Sequence, residues 1–195
     1  MHGLINTAIQ SFTRDTYGDD TWAQVMHHAD LGFGSFEAML TYEDQQTLDV
    51  LSSLETVLRK PREEVLEDIG TYLVSNPKVE ALRRLLRFGG VNFIEFLHSL
   101  DDLPGRARLA VSDLDLPAME LTERSPEYFA LSLETSMAGF GHVMLGLLRA
   151  MADDYGALVM LDYSAAGQGR ERIEIRLLES DFTEGKSFHL GAKVG

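Results

Sequence analysis

The sequence predicts an α+β domain in which a helical half precedes a half made of strands and one long helix. Three observations carry this reading. Apolar residues recur at helical spacing from Leu4 to Leu103, and the period switches to two at Met119 and Leu121. A clean amphipathic stretch from Phe140 to Met151 then divides the later strands into two pairs. Helices first and strands later is the order of a segregated α+β fold, not the alternation of a parallel α/β sheet. The expected organisation is a single domain over residues 1–195, with a helical half at 1–104, a joint at 105–118 and an α+β half at 119–195.

Leu4, Ile5, Ala8, Ile9 and Phe12 share one helical face, and Tyr17-Gly18 stops them. Thr21 with Gln24 reads as a capping box ahead of Trp22, Val25, Met26 and Ala29. Gly32-Phe33-Gly34-Ser35 reads as a loop. Leu48, Leu51, Leu54, Val57 and Leu58 form a stripe that ends before Pro61. Pro61, with Glu63 and Glu64 behind it, suits the first turn of a helix carrying Val65, Leu66, Ile69, Tyr72 and Leu73. Asn76-Pro77 opens the next helix, and Gly89-Gly90 breaks it. Val91, Ile94, Leu97 and Leu100 continue to Leu103, where Pro104-Gly105 is expected to disrupt the pattern. Met119 and Leu121, then Phe129, Leu131 and Leu133, alternate as strands. After the Phe140 helix, Leu158 to Tyr163 reads as a buried strand. A turn at Gly167-Gln168-Gly169 returns the chain through Ile173, Ile175 and Leu177.

The chain carries 17 Lys+Arg against 31 Asp+Glu, a formal net charge of −14. Such a charge repels phosphate backbones and anionic lipid, so neither a nucleic acid nor a membrane is an expected partner. The opening residues lack the charge and apolar run of a signal peptide, and no stretch approaches the ~20 apolar residues of a membrane helix. A soluble, cytoplasmic protein is expected. With no cysteine, thiolate ligands, disulfides and Cys nucleophiles are excluded.

Candidate chemistry is sparse. None of the six histidines pairs with another at the i, i+4 spacing of a metal site. His27-His28 reads as a solvated pair. His98 lies in an apolar helical run, where it is either a core or groove histidine or a ligand to a metal or haem iron. Asp101-Asp102 and Asp113/Asp115 do not form a calcium loop and read as an acidic face. Ser11, Ser35 and Ser136 lack a nucleophile elbow. No nucleophile, base and orienter can be assembled from spacing, so the chain is not expected to be an enzyme.

The opening Met1-His2-Gly3-Leu4-Ile5-Asn6-Thr7-Ala8-Ile9, followed by Arg14-Asp15-Thr16-Tyr17-Gly18 and Trp22, resembles the start of the H-NOX family, the haem nitric oxide/oxygen-binding domains. The likeness runs over nearly the whole chain and includes Phe93 to Leu103 and Pro117. It implies a sensor domain whose cavity, lined by positions such as Ile5, Ile9 and Pro117, holds haem. In the family a histidine ligates the iron at the place where this chain has Pro104. A Tyr-x-Ser-x-Arg clasp binds the haem propionates at the place where this chain has Leu133, Thr135 and Met137. Pro cannot coordinate iron, and Glu134 sets a like charge beside the propionates. Both departures imply a pocket without ordinary haem. Its occupant is then an apolar small ligand, or the cavity is filled by Met and Leu side chains. With haem as the alternative cofactor, His98 is the first substitute ligand. It lies six positions before Pro104, about 120° around the helix from the ligand direction. The resemblance implies signalling in trans to a partner such as a histidine kinase or a diguanylate cyclase.

Overall fold

The computed structural model of the protein describes residues 1–187 other than Ser136 and Gln168. Ser136 and the centre of the Gly167–Gly169 turn, both noted above, and His189, one of the six histidines, lie outside the described residues. The helical half holds α1 (Gly3–Tyr17), α2 (Asp19–Ala29), α3 (Asp44–Leu58) and α4 (Arg62–Ser75), then a 3₁₀ turn at Pro77–Val79, α5 (Glu80–Arg87), α6 (Phe93–His98) and α7 (Leu103–Ala110). The second half follows as β1 (Ala118–Ser125), β2 (Tyr128–Glu134), α8 (Phe140–Tyr155), β3 (Leu158–Gly167) and β4 (Arg170–Glu179). The strands form one antiparallel sheet in the order β1-β2-β4-β3.

Three local expectations are corrected. Pro104 does not break a helix but starts one. At the first turn of α7 its missing N–H has no partner to lose, and its fixed φ suits the helix; Arg106 N already reaches Asp102 O at 2.9 Å. The helical half therefore runs to Ala110, and the irregular joint shrinks to residues 111–117. The apolar run ending at Leu103 is two helices, because Ser99 N already donates within the turn that closes α6. The Thr21 capping box is absent. α2 begins earlier, with Asp19 and Asp20 at its positive end, and the Thr21 hydroxyl donates back to Tyr17 O at 2.9 Å.

Two apolar cores result. One gathers Phe12, Trp22, Val25, Leu51, Leu54 and Val65 among α1–α4. The other sets Phe129, Leu131, Leu133, Ile173 and Ile175 of the sheet against Met144, Leu148 and Met151 of α8. The alternation of β2 and β4 aims these residues at one face. The halves join where α4 crosses α8. A Cβ on Gly70 would lie 2.0 Å from Val143 O, and one on Gly146 would lie 2.0 Å from Glu67 O. Only two glycines let these backbones meet.

Candidate functional site

The first residues of the chain are built into the fold. The Met1 ammonium donates to Tyr42 O and to Asp44 Oδ1, each at 2.6 Å. Gly3 N donates to Leu40 O at 2.7 Å. His2 caps α1, its Nδ1 accepting from Leu4 N at 3.1 Å. Its side chain is only 5% exposed, and Nε2 lies 3.3 Å from Asp113 Oδ1 without the alignment of a hydrogen bond.

Beside this terminus lies a wide cavity of about 800 Å³ lined by His2, Ile5, Pro104, Arg108, Pro117 and Thr135. Five carboxylates, Asp44, Asp101, Asp113, Asp115 and Glu134, share its wall with two cations, the Met1 ammonium and Arg108. Counting His2 as neutral, the wall carries −3. Both cations are paired, Met1 with Asp44 and Arg108 with Asp115 at 2.8 Å. Deeper in lies a second cavity of about 290 Å³ with an almost wholly apolar wall, drawn from α1, α4, α5, α7, α8 and the joint. Ile5, Leu116, Met119, Met137 and Phe140 line both, so the two cavities adjoin at these side chains, the neck of the site.

The turn that carries Met137 is held from below. Glu171 of β4, 5% exposed, accepts from Gly139 N and from Gly141 N, each at 2.5 Å. It occupies the amides that open α8, the place where a helix attracts an anion. The Thr135 hydroxyl is used inside the turn, accepting from Met137 N and donating to Met137 O, each at 3.0 Å. Tyr163 stacks on His142 with ring centroids 4.0 Å apart. Burial first, and then the Glu171 charge, push the Tyr163 phenol up to about 12.

The residues singled out from sequence fall into three groups. Ile5 and Met137 line both cavities, Ile9 lines the apolar one, and Pro104, Pro117 and Thr135 line the wide one. Leu133 lines neither, because its place in β2 turns it into the core beneath the sheet, fully buried. His98 also lines neither. At the end of α6 it faces β1, half exposed, with Nε2 3.1 Å from Glu123 and its ring edge-on to Phe129.

These residues do not fit a histidine-ligated haem. Pro104 offers no donor, and His98 and His142 are engaged elsewhere. His2 does line the wide cavity, but Leu4 N donating to Nδ1 places the ring proton on Nε2, the atom that would have to bind iron. Leu133 and Met137, where the resemblance expects a propionate clasp, are apolar, and the cavity wall that includes Met137 is anionic.

His2, Arg108 and Glu171 were not found by spacing. For Glu171 a signal existed: a carboxylate stands in the inward register of Ile173, Ile175 and Leu177. For His2 and Arg108 there was none, since their partners are distant in sequence.

A family model described as Haem-NO-binding matches residues 2–162. Soluble guanylate cyclase 89Da of Drosophila melanogaster is 22% identical over 168 residues, covering 86% of this chain and 25% of that protein. Soluble guanylate cyclase gcy-32 of Caenorhabditis elegans is 25% identical over 187 residues, covering 94% of this chain and 27% of that protein. The chain thus spans about a quarter of the length of these curated relatives. Among solved structures, the unliganded Fe(II) H-NOX protein from K. algicida superposes with a TM-score of 0.80 at 18% identity, covering 92% of this chain and 97% of that one. An oxygen-binding H-NOX domain related to soluble guanylate cyclases, in its oxygen complex, gives a TM-score of 0.72 at 15% identity, covering 96% of this chain and 100% of that one. At such identities the structural likeness shows the fold.

Proposed function

The chain belongs to the Haem-NO-binding family, and we propose that it is a sensory or regulatory domain that works without a histidine-ligated haem. H-NOX domains are sensor domains and not themselves catalytic; the guanylate cyclase relatives have about three quarters of their length outside the matched region. The observation that carries the proposal is Pro104. It stands at the wall of the wide cavity, at the start of α7, where the family supplies the iron ligand, and a proline ring nitrogen has no lone pair to give. The chemistry of the wall supports the same reading, since two propionates would meet five carboxylates and two cations already paired.

A signal requires two arrangements of one element that an occupant favours unequally. The apolar chamber is walled by α7 together with α1, α4, α5 and α8, so an apolar occupant that shifts α7 against the others changes the outer surface of α7. The partner reading that surface is a histidine kinase or a diguanylate cyclase, whose phosphorylation or cyclase rate changes when this chain is added.

The test is a visible spectrum of protein expressed with a haem supply. We expect no stoichiometric Soret band. A band that shifts with nitric oxide and is lost in His98→Ala or His2→Ala overturns the proposal and establishes a gas sensor with an unusual ligand.

A further inference from the structure

The two cavities make one site with opposite chemistries at its ends. We propose that it binds an amphipathic cation, with the alkyl chain in the apolar chamber and the protonated amine in the acidic mouth. The inference rests on the reading that no histidine-ligated haem fills the pocket.

The chamber asks for hydrocarbon. Its wall is apolar on all sides, from Ala8 and Ile9 of α1 to Leu147 of α8, and its volume of about 290 Å³ matches a small chain rather than a water cluster. Apolar walls of this kind do not hold water well. Ile5, Met137 and Phe140 line both cavities, so these side chains stand between the chamber and the mouth, and the alkyl chain passes where they part.

The mouth selects the sign of the head group. An anion finds no cation waiting, because Arg108 is taken by Asp115 and the Met1 ammonium by Asp44. Nor can an anion use the start of α8, whose amides are filled by Glu171. Asp101 and Asp113, by contrast, pair with no Lys or Arg among the described residues. Asp101 accepts only from Leu121 N, and Asp113 is 66% exposed.

His2 is the second pointer. A buried ring N–H facing the mouth without an acceptor is costly, and the nearest acceptor, Asp113 Oδ1, stands at 3.3 Å out of line. A cation in the mouth draws the Asp113 carboxylate inward and brings it onto that N–H. The ligand thereby completes a hydrogen bond that the protein leaves unmade.

Calorimetric titration of the haem-free chain with decylammonium, 1-decanol and decanoate, each below its micelle concentration, tests this. Decylammonium should bind at least about tenfold more tightly than decanoate at low salt, with decanol between them, and the gap should narrow in ~0.5 M salt. Asp101→Asn with Asp113→Asn should remove about tenfold from decylammonium and leave decanol unchanged. If that double variant does not fold, Asp113→Asn alone should cost about threefold. Ala8→Phe, which fills the chamber, should weaken all three ligands. Decanoate binding as tightly as decylammonium, an ion preference unmoved by the Asn variants, or no binding by any of the three overturns the proposal. Haem retention is read separately from the Soret band, so failure of one reading does not mask failure of the other.

Discussion

Replacing Glu171 should loosen the neck of the site more than its core. This carboxylate is 5% exposed and accepts two backbone N–H groups at 2.5 Å, from Gly139 and Gly141. A hydrogen bond to a buried charge contributes about 1.5–3 kcal/mol net, and a negative charge at the start of a helix adds about 1 kcal/mol more. Glu171→Ala removes all of this and strands a buried amide, so it should cost about 3–5 kcal/mol. Glu171→Gln keeps one acceptor and turns its amide nitrogen toward the other N–H, and should cost about 2–3 kcal/mol. Urea unfolding at pH 7, followed by both Trp22 fluorescence and circular dichroism, measures the loss. In Glu171→Gln the Tyr163 phenol should also titrate below its present value of about 12, yet still above the ordinary tyrosine value, because burial is the larger cause. Phenolate absorbance reports that shift. A loss under about 0.5 kcal/mol in Glu171→Gln, with Tyr163 unmoved, would refute the view that this side chain holds the turn.

Two further outcomes are expected. Gly146→Ala drives a methyl to 2.0 Å from Glu67 O, a backbone atom that cannot swing aside, and should cost about 2–4 kcal/mol by thermal unfolding. Asp15 ties α1 to α4 and to the turn after it, accepting from Lys78 Nζ at 2.5 Å and from the Tyr72 hydroxyl at 2.7 Å, and these bonds hold its carboxyl below the usual range. Its contribution is therefore complete above the unfolded value of about 3.9 and fades as pH falls through the lower folded value. Asp15→Asn should lose about 1–2 kcal/mol at pH 7, discounted because Lys78 is largely exposed, and the gap from the unaltered chain should close in urea unfolding toward pH ~2.

The order of helices and strands was legible because periodicity is local. Leu4 to Phe12 and Phe140 to Met151 announce their faces without help from the rest of the chain. Where local rules compete, they misled. Pro104 reads as the end of a helical run but begins one, and a proline permits either; the placement of Leu100 and Leu103 in the core decides. Helical-wheel arithmetic set His98 about 120° from the ligand direction. The break after α6 turns it outward to Glu123 instead. The mouth was illegible for a different reason. Asp44, Asp113 and Glu134 come from three distant segments, and nothing along the chain says that they share a wall.

The glycine contact between α4 and α8 has a mechanical meaning. Two helices separated by side chains can tilt, as rotamers take up the slack. Two helices touching through backbone at Gly70 and Gly146 have no slack to take up, and can only slide along each other or stay still. Leu66 and Ile69 of α4 and Val143 and Leu147 of α8 also wall the apolar chamber. That side of the chamber therefore behaves as a fixed anvil. Any swelling or shrinking of the occupant must be delivered to the remaining walls, α1, α5 and α7, and so to whatever rests on the exposed side of α7.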